Sequence, residues 1–153
     1  MLRYCFLILG LCAFRFSPSQ IPPVRANANF VMHVIINGVK QNTGSVRVAV
    51  YDKAETFLQA KKYISTKSIV ADMNSPLQLD FSLPFGDYAV TAYHDINDDH
   101  HLDQNYLGVP TEPYALSNNV NVKWRRPTFE ETKISFNKTE QKVSLQLKKW
   151  KER

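Results

Sequence analysis

Leu77-Gln78-Leu79-Asp80-Phe81-Ser82-Leu83 is the stretch that decides the fold. Large apolar residues alternate with polar ones, the period-two pattern of a strand with one face buried and the other in water. Pro84-Phe85-Gly86-Asp87 follows as a turn, and Tyr88 to His94 reads as the next strand. Similar segments recur on both sides. Ser45 to Tyr51 puts Val46, Val48 and Val50 on one face, with Ser45, Arg47 and Ala49 on the other. Phe30 to Ile36 is β-branched and nearly all apolar, as a strand buried on both faces would be, and ends at the turn dipeptide Asn37-Gly38. Lys133 to Phe136 and Lys142 to Leu147 form a last pair, with Val143, Leu145 and Leu147 facing inward. Tyr63 to Val70 is a weaker strand, and Asp52 to Ala60 reads as a short helix or an edge excursion.

No stretch after Ala28 sustains the i, i+3, i+4, i+7 apolar stripe of a major helix. About seven short strands without βαβ units specify an all-β fold, a single Greek-key β-sandwich of the immunoglobulin or transthyretin type. No internal repeat and no linker rich in Pro, Gly or Ser divides the chain, so residues 29–153 are expected to form one domain.

The first 28 residues read differently. Met1 to Arg3 supplies a positive start, and Tyr4 to Phe14 is an apolar run. Eleven residues of helix rise about 16 Å, too little to cross a hydrocarbon core of about 30 Å. Ala26-Asn27-Ala28 has the small-x-small form of a signal-peptidase site. Residues 1–28 are therefore expected to be a signal peptide cleaved after Ala28. Cys5 and Cys12, the chain's two cysteines, both fall in this segment, so the mature chain carries neither a disulfide framework nor a thiol nucleophile. Leu11 stands where a small residue precedes a lipid-modified cysteine, which argues against a lipoprotein anchor. Nothing after Ala28 is apolar enough to span a membrane.

Removing the segment takes away Arg3, Arg15 and Arg25 and no acids, so the formal net charge of +5 falls by three. So small a charge is a poor basis for nucleic-acid binding, which favours a concentrated basic stripe. Lys123, Arg125 and Arg126 cluster around Trp124, and a solvated turn explains them as well.

The chemistry is concentrated in Asp95-Ile96-Asn97-Asp98-Asp99-His100-His101-Leu102-Asp103. Oxygen side chains fall at loop positions one, three, five and nine, namely Asp95, Asn97, Asp99 and Asp103, with His101 placed to give its backbone carbonyl. This is the spacing by which a turning loop converges oxygens on Ca²⁺, which takes six to eight of them at about 2.3–2.6 Å. Clustered carboxylates otherwise repel, and a divalent cation removes that repulsion. His100 stands where an EF-hand has its turn glycine, and Tyr106 where it has a bidentate Glu. The loop is therefore a calcium loop of similar geometry mounted on a strand, with Glu112 the nearest downstream candidate for a further ligand. Two alternatives remain open here: a solvated acidic turn in which Asp and Asn cap the backbone, and a transition-metal site using His94, His100 and His101.

The run Gly86-Asp87-Tyr88-Ala89-Val90 through His94-Asp95-Ile96-Asn97, then Leu102-Asp103, Gly108-Val109-Pro110, Glu112 and Ser117-Asn118-Asn119, resembles the domain-of-unknown-function 2141 family of secreted bacterial domains. The likeness extends to Val48-Ala49-Val50-Tyr51 and to Pro127-Thr128-Phe129-Glu130. In that family the loop reads H-D-x-N-x-[DN]-G-x-L-D, and His100 replaces its glycine here. The resemblance implies an exported β-sandwich domain of unassigned role, in the periplasm or the extracellular space of a Gram-negative envelope, and it supplies no catalytic residues.

Three functions follow. The first is a calcium-stabilised envelope module in which the ion orders the long Asp95 to Asn119 connection. The second is a module that binds a glycan or a partner protein with the same loop surface, to which Trp124, Tyr106 and Tyr114 would offer aromatic faces. The third is a metal-dependent hydrolase. Against an enzyme stands the lack of a G-x-S-x-G elbow, an H-E-x-x-H helix or a Gly-rich phosphate loop. Asp95 with Asp103, or Asp99 with Glu112, can be cast as a glycosidase pair, but acids this dense fit a metal better than divided acid and base roles. Ser117-Asn118-Asn119 either closes over the acidic loop or makes a turn.

Overall fold

Alternating strands dominate the computed structural model, which describes residues 30–121 and 125–152. The segment read as a signal peptide, and Lys123 and Trp124 of the basic cluster, lie outside the described residues. The strands are β1 (Phe30–Asn37), β2 (Ser45–Tyr51), β3 (Ser65–Val70), β4 (Leu77–Leu83), β5 (Gly86–Asp95), β6 (Tyr114–Leu116), β7 (Lys133–Phe136) and β8 (Glu140–Gln146). One short helix, α1 (Phe129–Thr132), precedes β7, and short 3₁₀ turns follow β6 and β8. α1 begins with a capping box: the Thr128 side chain accepts from the Glu131 N–H, and the Glu131 carboxylate accepts from the Thr128 N–H.

Two sheets result. One has the order β4-β1-β8, with β1 antiparallel to β4 and parallel to β8. The other runs β3-β2-β5-β6, and β7 lies along the first half of β5, so that one edge of this ten-residue strand serves two partners. The Pro84–Asp87 turn thus carries the chain from one sheet to the other. Met32, Val34 and Ile36 of β1, Val46, Val48 and Val50 of β2, Phe81 of β4, Val90 of β5, Phe136 of β7 and Leu145 of β8 share one core, giving a β-sandwich-like body.

The sequence reading of β1 needs correction. Met32, Val34 and Ile36 are fully buried, but Val31, His33 and Ile35 are only half-buried. Their neighbours across the ladder are polar: His33 lies between Asp80 and Lys142, and its Nδ1 stands 2.8 Å from Asp80 Oδ1. No third layer of described residues covers this face, so the apolar run is buried on one side only. Residues 52–60 form turns, neither helix nor strand, and Phe57 there packs edge-on against Tyr51 and Phe129. β6, three residues long, is an additional strand.

Ser117-Asn118-Asn119 makes a turn, and it stitches elements together away from the acidic loop. The buried Ser117 hydroxyl donates to the Thr132 carbonyl and accepts from the Val90 N–H at 2.9 Å. Asn118 Nδ2 donates to the carbonyls of Glu131 (3.2 Å) and Lys133 (2.9 Å), and Asn119 Oδ1 accepts from Gln146 N at 3.2 Å. Ser117→Ala would leave the Val90 N–H buried without this acceptor, and the expected loss is about 1–3 kcal/mol in urea unfolding. An unchanged midpoint would contradict the role given to this hydroxyl.

Candidate functional site

β2 and β5 pair antiparallel with Ser45 opposite Asp95, so the acidic loop leaves the sheet beside the entry to β2. The approach there is close. Gly44 has φ +70°, and a Cβ on it would lie 2.0 Å from the Asp95 carbonyl oxygen. Only glycine combines that conformation with that proximity.

Asp95 is fully buried, and its carboxylate organises the turn. Oδ1 accepts from Asp99 N at 3.1 Å and Oδ2 from His100 N at 3.0 Å, while Arg47 Nε donates to Oδ2 at 2.7 Å. Arg47 Nη2 also donates to His100 Nδ1. Glu112, 4% exposed, closes the far end: Oε1 accepts from Ile96 N at 2.8 Å and Oε2 from Asp103 N at 3.1 Å. Two carboxylates thus satisfy four loop N–H groups that no strand partner serves. Asp98 (φ 56°) and His100 (φ 72°) both adopt the left-handed conformation. His100 therefore makes this turn without glycine's conformational freedom, at a steric cost of about 1–2 kcal/mol that its bond from Arg47 helps to offset.

Burial alone would raise the Asp95 carboxyl, but the Arg47 guanidinium and the two loop N–H groups prevail and hold it below the ordinary carboxylate value. At Glu112 burial prevails. Its carboxyl is pushed up, helped by Asp103 and Asp95, against the pull of the Ile96 and Asp103 N–H groups. Burial, then the charge of Asp95, pushes the Tyr93 phenol up to about 12.

The six residues expected to hold a metal divide accordingly. Asn97, Asp99 and Asp103 come together on the exposed side, where Asn97 Nδ2 reaches Asp99 Oδ2 at 3.2 Å and Asp103 Oδ2 at 3.3 Å. His101 joins them through its N–H, which donates to Asp99 Oδ1 at 2.8 Å. Asp95 and Glu112 lie behind, already engaged with main-chain N–H groups. Among the described residues, no three His, Cys, Asp or Glu side chains are gathered in a metal-holding arrangement. Of the nearby histidines, His94 is buried in the sheet with Nε2 2.7 Å from the Thr43 carbonyl.

Beyond Asp103 the loop continues as a small hairpin. Gln104 bridges Pro110, Asn105 N donates to the Val109 carbonyl at 2.9 Å, and Asn105 Oδ1 accepts from Leu107 N (2.9 Å) and Val109 N (3.0 Å). Its tip holds Tyr106 and Leu107 outward, 95% and 70% exposed. Tyr114 is half-buried on β6 opposite Tyr93.

Sequence reasoning missed three participants. Arg47 and Ser45, whose hydroxyl donates to Asp98 Oδ1 at 2.8 Å, appeared only as alternating positions on one face of a strand, and Gly44 was not singled out. The signal that finds them is the β2–β5 register, which two intervening strands conceal.

The fold and the loop define a small all-β domain of two sheets with an acidic, internally bonded loop at one end. The family described as "Uncharacterized protein conserved in bacteria (DUF2141)" matches residues 34–144, and the chain belongs to it. No curated protein and no solved structure matches the chain.

The depressed Asp95 carboxyl sets a pH dependence. Its contribution is present above the ordinary carboxylate titration and is lost as pH falls through the lowered folded value. Asp95→Asn should therefore cost about 2–4 kcal/mol at neutral pH, since it leaves Arg47 without its anion and the loop N–H groups with one acceptor fewer. The gap to wild type should close toward pH 3 in urea melts. A gap independent of pH would contradict the charge-based account.

Proposed function

We propose that this chain is an exported module of the bacterial envelope that takes up Ca²⁺ at its 95–103 loop. In this reading residues 1–28 are removed as a signal peptide, the mature protein works in the periplasm or outside the cell, and the sandwich is Greek-key in topology and immunoglobulin- or transthyretin-like. The observation that carries the calcium reading is the meeting of Asn97, Asp99 and Asp103 on the exposed side of the loop, where one amide nitrogen lies within hydrogen-bond reach of both carboxylates. A cation there would replace that amide as the group holding Asp99 and Asp103 together, with Asn97 and the His101 carbonyl completing the protein's share of an oxygen shell. Asp95 and Glu112 enter as the groups that shape the loop.

Charge supports the reading. The segment from Asp95 to Glu112 contains five carboxylates and neither Lys nor Arg, so a divalent ion relieves repulsion now offset by Arg47, the Ser45 hydroxyl, the Asn97 amide and main-chain N–H groups. A second reading, a partner protein held at the same end of the molecule, draws on Tyr106 and Leu107. A hairpin tip already fixed by its own hydrogen bonds orders little more on binding, and aromatic side chains displayed this way favour interfaces.

Calorimetric titration of chelator-treated protein should give saturable Ca²⁺ binding at the loop and a rise in Tm. Asp99→Ala should abolish both. No heat at millimolar Ca²⁺, or binding that survives the substitution, would contradict the calcium assignment.

A further inference from the structure

The bond read as the leader's cleavage point lies almost against the fold. One residue, Asn29, separates Ala28 from Phe30, the first residue of β1. β1 is the middle strand of its sheet, and from Val31 onward it is paired on both edges, with β4 and with β8. Phe30 sits opposite Leu83, and its ring stacks on Phe85 with centroids 4.0 Å apart. Val31 N donates to the Thr139 carbonyl at 2.9 Å, and Met32 is fully buried.

An endopeptidase takes residues on both sides of the bond it cuts as an extended segment, free of the substrate's own hydrogen bonds. In the folded chain a single residue is left for this on the downstream side before the sheet begins. Freeing more requires drawing the start of β1 out of a two-sided ladder and Phe30 off Phe85. A central strand opens in this way only rarely.

We infer that the leader is removed before β1 enters its sheet, so that the peptidase acts on the unfolded chain and the folded precursor is a poor substrate. The inference rests on the reading of residues 1–28 as a signal peptide and not on the calcium assignment. Hydrolysis of the bond between Ala28 and Asn29 consumes one water, and leaves a carboxylate on Ala28 and an amino group on Asn29. Topology supplies the interval in which this happens. β8 (Glu140–Gln146) comes from near the far end of the chain and pairs parallel with β1, and Thr139, the acceptor for Val31, precedes it directly. Contacts so distant in sequence form late, because the closing of a long loop must be offset before they stabilise anything. One edge of β1 therefore stays open, and the bond accessible, until the C-terminal strand arrives.

Cleavage of the full chain by a purified bacterial signal peptidase in detergent tests this, with the products identified by mass. Three precursors share residues 1–29. One is the wild type, refolded to its native β-sheet circular dichroism. The second has a flexible spacer of about six Gly and Ser residues inserted between Asn29 and Phe30 and is also folded. The third is Val34→Asp, in which a carboxylate at a fully buried position keeps the chain unfolded. The spacer and unfolded chains should both be cut after Ala28, and the folded wild type at least about tenfold more slowly. Wild type cut as fast as the spacer chain would overturn the proposal and leave the signal peptide in place. A spacer chain as resistant as wild type would overturn it too, since the block would then lie outside β1. If even the unfolded chain is not cut after Ala28, the signal-peptide reading fails and this inference with it.

Discussion

One buried carboxylate sets the shape of the acidic end of this molecule. Asp95 is the last residue of β5, wholly removed from water, and Arg47 from the neighbouring strand is its charge partner at 2.7 Å. Burying an unpaired carboxylate is prohibitive, and one partner seldom suffices without hydrogen bonds to the remaining lone pairs. The loop provides them by folding back so that the N–H groups of Asp99 and His100 point at the same carboxylate. The desolvated charge therefore dictates the turn, including left-handed conformations at Asp98 and His100 that neither residue adopts freely. Glu112 repeats the device at the other end of the loop.

This division explains why the exposed carboxylates are arranged as they are. With Asp95 and Glu112 turned inward, Asp99 and Asp103 are left on the outer side with Asn97 between them. The inner pair makes structure and the outer group faces solvent, so substitutions in the two should behave differently: inner ones act on folding, outer ones on whatever the loop holds. The rest of the sandwich-like body is held by apolar burial, with side chains rather than main-chain ladders linking its parts where strands end. Lys67 to Asp80 ties the two sheets at one edge, and Ser117 with Asn118 ties α1 and β7 to β5.

Much of the architecture was legible because it rests on periodicity. The alternation in Leu77–Leu83 and Ser45–Tyr51 matches the buried faces of β4 and β2. β1 misled because apolar content alone does not say how many layers surround a strand; only its neighbours Asp80 and Lys142 reveal a face open to water. β6 is too short to display a period. In the loop, the spacing of Asn97, Asp99 and Asp103 was visible, and so was their proximity. That Asp95 would be buried was not, since burial there depends on Arg47 and the close approach of Gly44, contributed by β2 and the residue before it some fifty positions away along the chain. Nor was the burial of Glu112, which follows from the loop folding back so that the Ile96 and Asp103 N–H groups meet its carboxylate. Spacing identifies which residues a loop can gather, whereas register decides which of them face inward.

The claim that the buried Asp95–Arg47 pair holds the loop is tested most directly by amide hydrogen exchange, read residue by residue in wild type and in Arg47→Met. Slow exchange at the Asp99 and His100 amides is predicted for wild type. In the variant those two should lose protection while the amides of β1 and β4, in the other sheet, keep theirs. Equal protection of Asp99 and His100 in both proteins would contradict the account.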